Sequence, residues 1–109
     1  MSKMKVLPFA VEASLKKLGA NIHTARIRRN ISLADLADRI GVHRTVLSDA
    51  EHGKPGTAAS VYVSMLWAMD LLDDLNKVAN PDSDEKGLAL ARMKEPSRAS
   101  TGRQLDDNF

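Results

Sequence analysis

The sequence predicts an all-α chain, a bundle of about five helices with a flexible C-terminal tail. Three observations predict it. Apolar residues recur three and four apart from Leu15 to Val78. Glycines and the Asn80-Pro81 and Glu95-Pro96 steps interrupt that period where helices should end. From Ser97 to Phe109 the period vanishes, leaving a polar stretch of mixed charge with few large apolar side chains, the composition of a segment that is disordered when alone.

The 109 residues suggest one domain with tails: an arm at 1–10, a helical domain at 11–80, an extension at 81–96 and the tail at 97–109. With no cysteine, neither a disulfide framework nor a thiolate metal site is available. No apolar run is long enough to span a bilayer and no signal-peptide pattern opens the chain, so a cytoplasmic location is expected and no membrane partner. Charge is uneven. Residues 1–56 hold ten Lys/Arg against five Asp/Glu, and residues 57–109 hold six against nine. A basic half beside an acidic half fits a nucleic-acid face on the first and a different task for the second.

Met1 to Pro8 is a short arm in which Lys3 and Lys5 are within reach of phosphates or simply solvated, and Pro8 marks the entry to a helix. From about Val11 to Arg29, Leu15, Leu18, Ile22 and Ala25 keep helical spacing. Gly19 inside that run costs about 1 kcal/mol against Ala and signals a break, with a leading turn before a helix that starts near Leu18. Arg26, Arg28 and Arg29 crowd its end. After Asn30-Ile31, Ser32 has the character of an N-cap, and Asp35 resembles a capping box with Asp in place of Glu.

The stretch Leu33–Gly53, LADLADRIGVHRTVLSDAEHG, reads as two short helices about a tight corner. Leu33, Leu36, Ala37 and Ile40 line one face of the first. Gly41 stands where a helix end needs positive φ. Val42, Val46, Leu47 and Ala50 form the second stripe, and small Ala37 lies where two crossing helices approach most closely. A plain helical hairpin is the bland reading. Against it, Arg44, Thr45, Ser48 and Asp49 lie between the apolar positions of the second helix, a short exposed face of donors and acceptors suited to base edges in a major groove. Candidate phosphate contacts surround it: Ser32 with the free N–H groups of its helix N-terminus, Arg29, His43 and Lys54. His43 reads equally as a helix cap.

Leu36-Ala37, Gly41-Val42, Leu47 with Ala50, and Glu51-His52-Gly53-Lys54 form an ordered set that resembles the lambda-repressor-like (Xre) family over roughly Leu18 to Leu72. The resemblance implies a five-helix DNA-binding domain and a homodimer on a palindromic, inverted-repeat operator with half-sites ~34 Å apart. It also implies a structural ion pair between Arg26 and the glutamate that closes the recognition helix, Glu51. One departure bears on function. Many relatives carry glutamine at the position of Leu33 and contact phosphate with it, so here that contact falls to Ser32 and the backbone.

Thr57 is a candidate cap for the helix that runs to Met69. Its sequence, TAASVYVSMLWAM, is apolar nearly all round, more than one small core can cover. Val61, Met65, Trp67 and Met69 are therefore candidates for a dimer interface, with core as the competing reading for Trp67. A further helix is expected from Asp70 or Leu71 to Asn80, and another turn of helix through Leu88, Leu90 and Met93. The segment from Leu71 to Pro96 resembles the stretch C-terminal to the helix-turn-helix in HipB-like antitoxins, which bind their own operator and hold a HipA-type kinase toxin. That second resemblance implies such a toxin as a partner.

No enzyme is expected. The acids are spread along helix exteriors, and the glycines fit neither common phosphate-loop motif. No cofactor is implied, and His23, His43 and His52 lack metal-ligand spacing. Two readings remain: a DNA-binding repressor, and an adaptor that keeps the fold and holds a partner through its C-terminal half.

Overall fold

The computed structural model describes residues 6–94. The first five residues of the arm, the closing Glu95-Pro96 step and the tail at 97–109 lie outside the described residues. Those described form six α-helices and no strand: α1 Phe9–Arg28, α2 Leu33–Ile40, α3 Arg44–Glu51, α4 Ala59–Ala68, α5 Leu72–Leu75 and α6 Glu85–Lys94. The chain divides into two units, one ending at Asn76 and one starting at Lys77.

The first unit is built on Ile22, Leu36, Ala37, Leu47, Ala50, Tyr62, Met65, Ala68 and Met69. Ile22, Leu36, Leu47 and Met65 are its largest fully buried side chains. Each stabilises the fold by about 1.5–3 kcal/mol. These residues come from α1 to α4, so the core sits where the four helices cross.

α1 is a single helix of 20 residues, with no break at Gly19. The physical reason for the glycine is a close approach. A Cβ there would lie 2.5 Å from the Ala50 carbonyl oxygen and 2.6 Å from that of Glu51. The same crossing explains Gly53, where a Cβ would lie 2.6 Å from the Lys16 Cα and where φ is +69°. Two missing side chains thus let the end of α3 rest on the backbone of α1.

Ser32 caps α2, its Oγ accepting from the Asp35 N–H at 3.0 Å. The reciprocal half of a capping box is not formed among the described residues, because the Asp35 side chain is one methylene shorter than Glu. Gly41 ends α2 in the left-handed conformation. α3 ends in a Schellman motif: Gly53 N–H bonds the Ala50 carbonyl and Lys54 N–H the Asp49 carbonyl.

Two boundaries differ from the sequence expectation. α4 starts at Ala59 with Ala58 at its N-cap and no side-chain cap. Thr57 is spent in a turn, its N–H bonded to the Lys54 carbonyl. α5 is one turn of four residues instead of a helix reaching Asn80. Ala79 has a φ of +59°, Val78 is 70% exposed, and the Asn80 side chain accepts from the Asp82 N–H in a local turn. The apolar spacing of residues 71–78 therefore never became a helix with a buried face. In the second unit, Asp84 accepts from the Gly87 N–H and starts α6, which buries none of its residues.

Candidate nucleic-acid interface

α3 is seated from its C-terminal end. Glu51 faces Arg26 of α1, with Nε to Oε2 at 2.7 Å and Nη2 to Oε1 at 3.0 Å. The remaining Arg26 nitrogen, Nη1, donates to the Ile31 carbonyl at 2.9 Å. One guanidinium therefore ties α1, the α1–α2 connection and α3 together. Its pKa is raised by the hydrogen bond to Glu51, against burial, which lowers it. Burial pushes the Glu51 carboxyl up, but hydrogen bonds from Arg26 and His23 more than offset this and hold it below its ordinary value.

His23 is a member of this network that the sequence reading missed. Its Nδ1 lies 2.8 Å from Glu51 Oε1 and 3.3 Å from Arg26 Nη2. A carboxylate only accepts, so Nδ1 carries the proton and the Arg26 approach is a contact between two donors. No sequence signal distinguished this histidine, because its partner is brought to it only by the crossing of α1 and α3.

The N-terminal end of α3 is held by His43, whose Nδ1 accepts from the Thr45 N–H at 3.2 Å. His43 is thus a helix cap, and its ring remains exposed for a phosphate. Leu47 and Ala50 are fully buried, as the apolar stripe requires. The four candidate base readers divide. Arg44 and Thr45 are exposed on the first turn. Ser48 is half-buried and borders a groove between α1 and α3 lined also by His23, Thr24, Leu33 and His52. Asp49 is half-buried and pairs with Lys54, Oδ1 to Nζ at 3.2 Å. A candidate base reader and a candidate phosphate contact are therefore partners of each other, a link between one helix face and the loop after it that spacing does not reveal. The Arg44 side chain makes no hydrogen bond or ion pair among the described residues.

Ser32 is exposed at the N-terminus of α2, its oxygen engaged by the cap and its proton free to donate. Arg29 turns back, Nη1 donating to the Ala25 carbonyl at 3.0 Å. No group of three or more His, Asp or Glu able to hold a metal exists among the described residues.

The candidate dimer face needs correction. Met65 and Met69 are 0% and 2% exposed within a single chain. They point into the crossing of the helices and are core. Val61 is half-buried. Trp67 is 55% exposed and Val63, on the same stripe but not among the candidate interface residues, is 38% exposed. Both lie on the outer face of α4, and the Arg39 guanidinium of α2 sits 5.7 Å from the Trp67 ring centroid.

No helix among the described residues is long and apolar enough to cross a membrane. Residues 22–64, from the second half of α1 into α4, match the family described as helix-turn-helix. Neither a curated relative nor a solved structure matches the chain.

Proposed function

We propose that this chain, which carries a helix-turn-helix domain of the lambda-repressor-like kind over residues 22–64, is a sequence-specific DNA-binding transcriptional repressor acting as a homodimer on an inverted repeat. The observation that carries the reading is the state of α3. Its C-terminal end is fixed by a buried ion pair and two close glycine contacts, while Arg44 and Thr45 stand exposed on its first turn. A rigidly seated helix with exposed side chains at its N-terminal end is what major-groove reading requires. The capped N-terminus of α2 at Ser32 supplies a phosphate clamp beside it.

The dimer is supported by the outer face of α4, where Val63 and Trp67 are exposed on a helix with no charged residue. Trp and Arg are the side chains that most often anchor interfaces. Selection of duplexes from a random library, followed by gel shifts over a salt series, tests the DNA reading. A steep loss of affinity with salt and a selected palindrome are expected. Equal binding to all sequences would refute specificity. Sedimentation at micromolar concentration tests the dimer, which should show twice the chain mass and revert to one mass in W67E.

A second role is that of antitoxin, with a HipA-type kinase as partner and control of its own operon. α6 favours a partner for the C-terminal segment: Leu90 and Met93 are 53% and 80% exposed on a helix that buries nothing. Helices of this length are marginal in water unless they pack on something. An adaptor that held such a partner without specific DNA binding is the competing reading. Co-expression with the product of the adjacent gene, then gel filtration with and without selected DNA, separates the two.

A further inference from the structure

The first turn of α3 has a hydrogen-bond arrangement that assigns one side chain a definite chemistry. Thr45 N–H points at His43 Nδ1 at 3.2 Å, and Thr45 Oγ1 lies 2.9 Å from the same nitrogen. An N–H can only donate, so Nδ1 presents its lone pair to Thr45 and the ring proton is on Nε2. The hydroxyl, at 2.9 Å, is therefore the second donor sharing that one lone pair. Its proton is consumed within the turn, and the branch of Cβ that is not held is the methyl group. Threonine in a helix otherwise divides between two χ1 rotamers; the bond to Nδ1 selects one.

We propose that His43 is a positioning residue that commits Thr45 to the 5-methyl group of thymine, so that each half-site contains one thymine read through its methyl. The assignment rests on the DNA reading proposed above. A hydroxyl whose proton is bound cannot donate to guanine O6 or N7, nor to thymine O4; its oxygen can still accept from an adenine or cytosine amine, so the thymine assignment falls to the methyl branch. The C5-methyl of thymine is the one apolar group on the major-groove edges, and an exposed threonine methyl is its match. His43 Nε2–H faces away from Thr45 and stays available to a phosphate.

The test uses a duplex selected from random DNA by the wild-type protein, with each thymine replaced in turn by deoxyuridine, which removes the methyl alone. One replacement per half-site should weaken binding roughly fourfold, the value of burying one methyl-sized group. T45V keeps a methyl without a hydroxyl and should show the same sensitivity. T45S keeps the hydroxyl and should lose it. H43A should bring the thymine-to-uracil ratio toward one, and H43N, whose amide oxygen is again an acceptor, should restore it. No thymine-sensitive position, or full sensitivity in T45S or H43A, would overturn the proposal while leaving DNA binding intact. Failure to select any duplex would overturn the DNA reading itself, and this assignment with it.

Discussion

Arg26 and Glu51 hold each other through two hydrogen bonds, at 2.7 and 3.0 Å, with side chains only 9% and 6% exposed. The pair joins α1 to the end of α3 in the fork geometry that favours arginine. Removing one partner leaves the other charge unpaired and mostly shielded from water. Glu51→Ala should therefore destabilise by on the order of 3 kcal/mol, read as a lowered urea midpoint at neutral pH. An unchanged midpoint would mean that the pair contributes nothing.

The same pair sets a pH dependence. The folded-state carboxyl of Glu51 lies below its ordinary value, so the unfolded chain takes up the proton first as pH falls. The stabilisation is complete above the ordinary glutamate range, about pH 4–5, and is lost as pH drops through the folded value. Wild type should lose its advantage over E51Q across that acid window and show the full difference at pH 7. A difference that grew on acidification would contradict the direction given.

Gly19→Ala opposes two effects of known sign. Alanine in a helix interior gains about 1 kcal/mol over glycine. Here its Cβ would meet the Ala50 and Glu51 carbonyl oxygens at 2.5 and 2.6 Å, backbone atoms that cannot swing aside. Overpacking of this kind costs about 1–3 kcal/mol, and a backbone-to-backbone clash belongs at the upper end. The variant should melt lower than wild type despite its better helix propensity.

Tyr62 buries a hydroxyl that has no hydrogen-bond partner among the described residues, in a side chain 7% exposed. Tyr62→Phe removes an unsatisfied group while keeping the ring. Stability should rise by about 1 kcal/mol, detectable as a higher melting temperature. A fall would show that the hydroxyl is satisfied in solution.

On DNA, Arg44→Ala and Lys54→Ala should differ in kind. Losing Arg44 should cost roughly 1–3 kcal/mol and relax preference at one base pair, whereas losing Lys54 should weaken all sequences evenly and flatten the salt slope. Because Lys54 is paired with Asp49 across 3.2 Å, D49N should release it and raise affinity for scrambled DNA. Gel shifts on selected and scrambled duplexes decide this. Equal weakening of both by Arg44→Ala would make Arg44 a phosphate contact.

The helical periods of α1 to α4 were legible because each has a face that must enter one core, and Leu36, Leu47 and Ala50 are buried as their spacing requires. Gly19 misled for a physical reason. Propensity counts what a glycine costs its own helix, and the compensating approach of α3 comes from Ala50 and Glu51, far along the chain. Met65 and Trp67 show a related limit. An all-round apolar helix says that more than one surface is needed, but not which stripe goes inward. The structure turns Met65 in and leaves Trp67 out under Arg39. Residues 71–78 carried helical spacing, but only Leu71, Leu72 and Leu75 are half-buried while Val78 is 70% exposed, and only one turn formed.

The fastening of α3 at one end has an evolutionary consequence. Apart from the His43 cap at its start, what seats the helix lies in its second half and just beyond, in Leu47, Ala50, Glu51 and Gly53, together with Gly19 and Arg26 opposite them. Arg44 and Thr45, on the opening turn, contribute nothing to the core. On the DNA reading proposed above, sequence preference can drift, or be rewritten by design, through these exposed positions while the scaffold stays under separate selection. On that same reading, lineages descended from this chain should diverge in the sequences they recognise sooner than in their thermal stability.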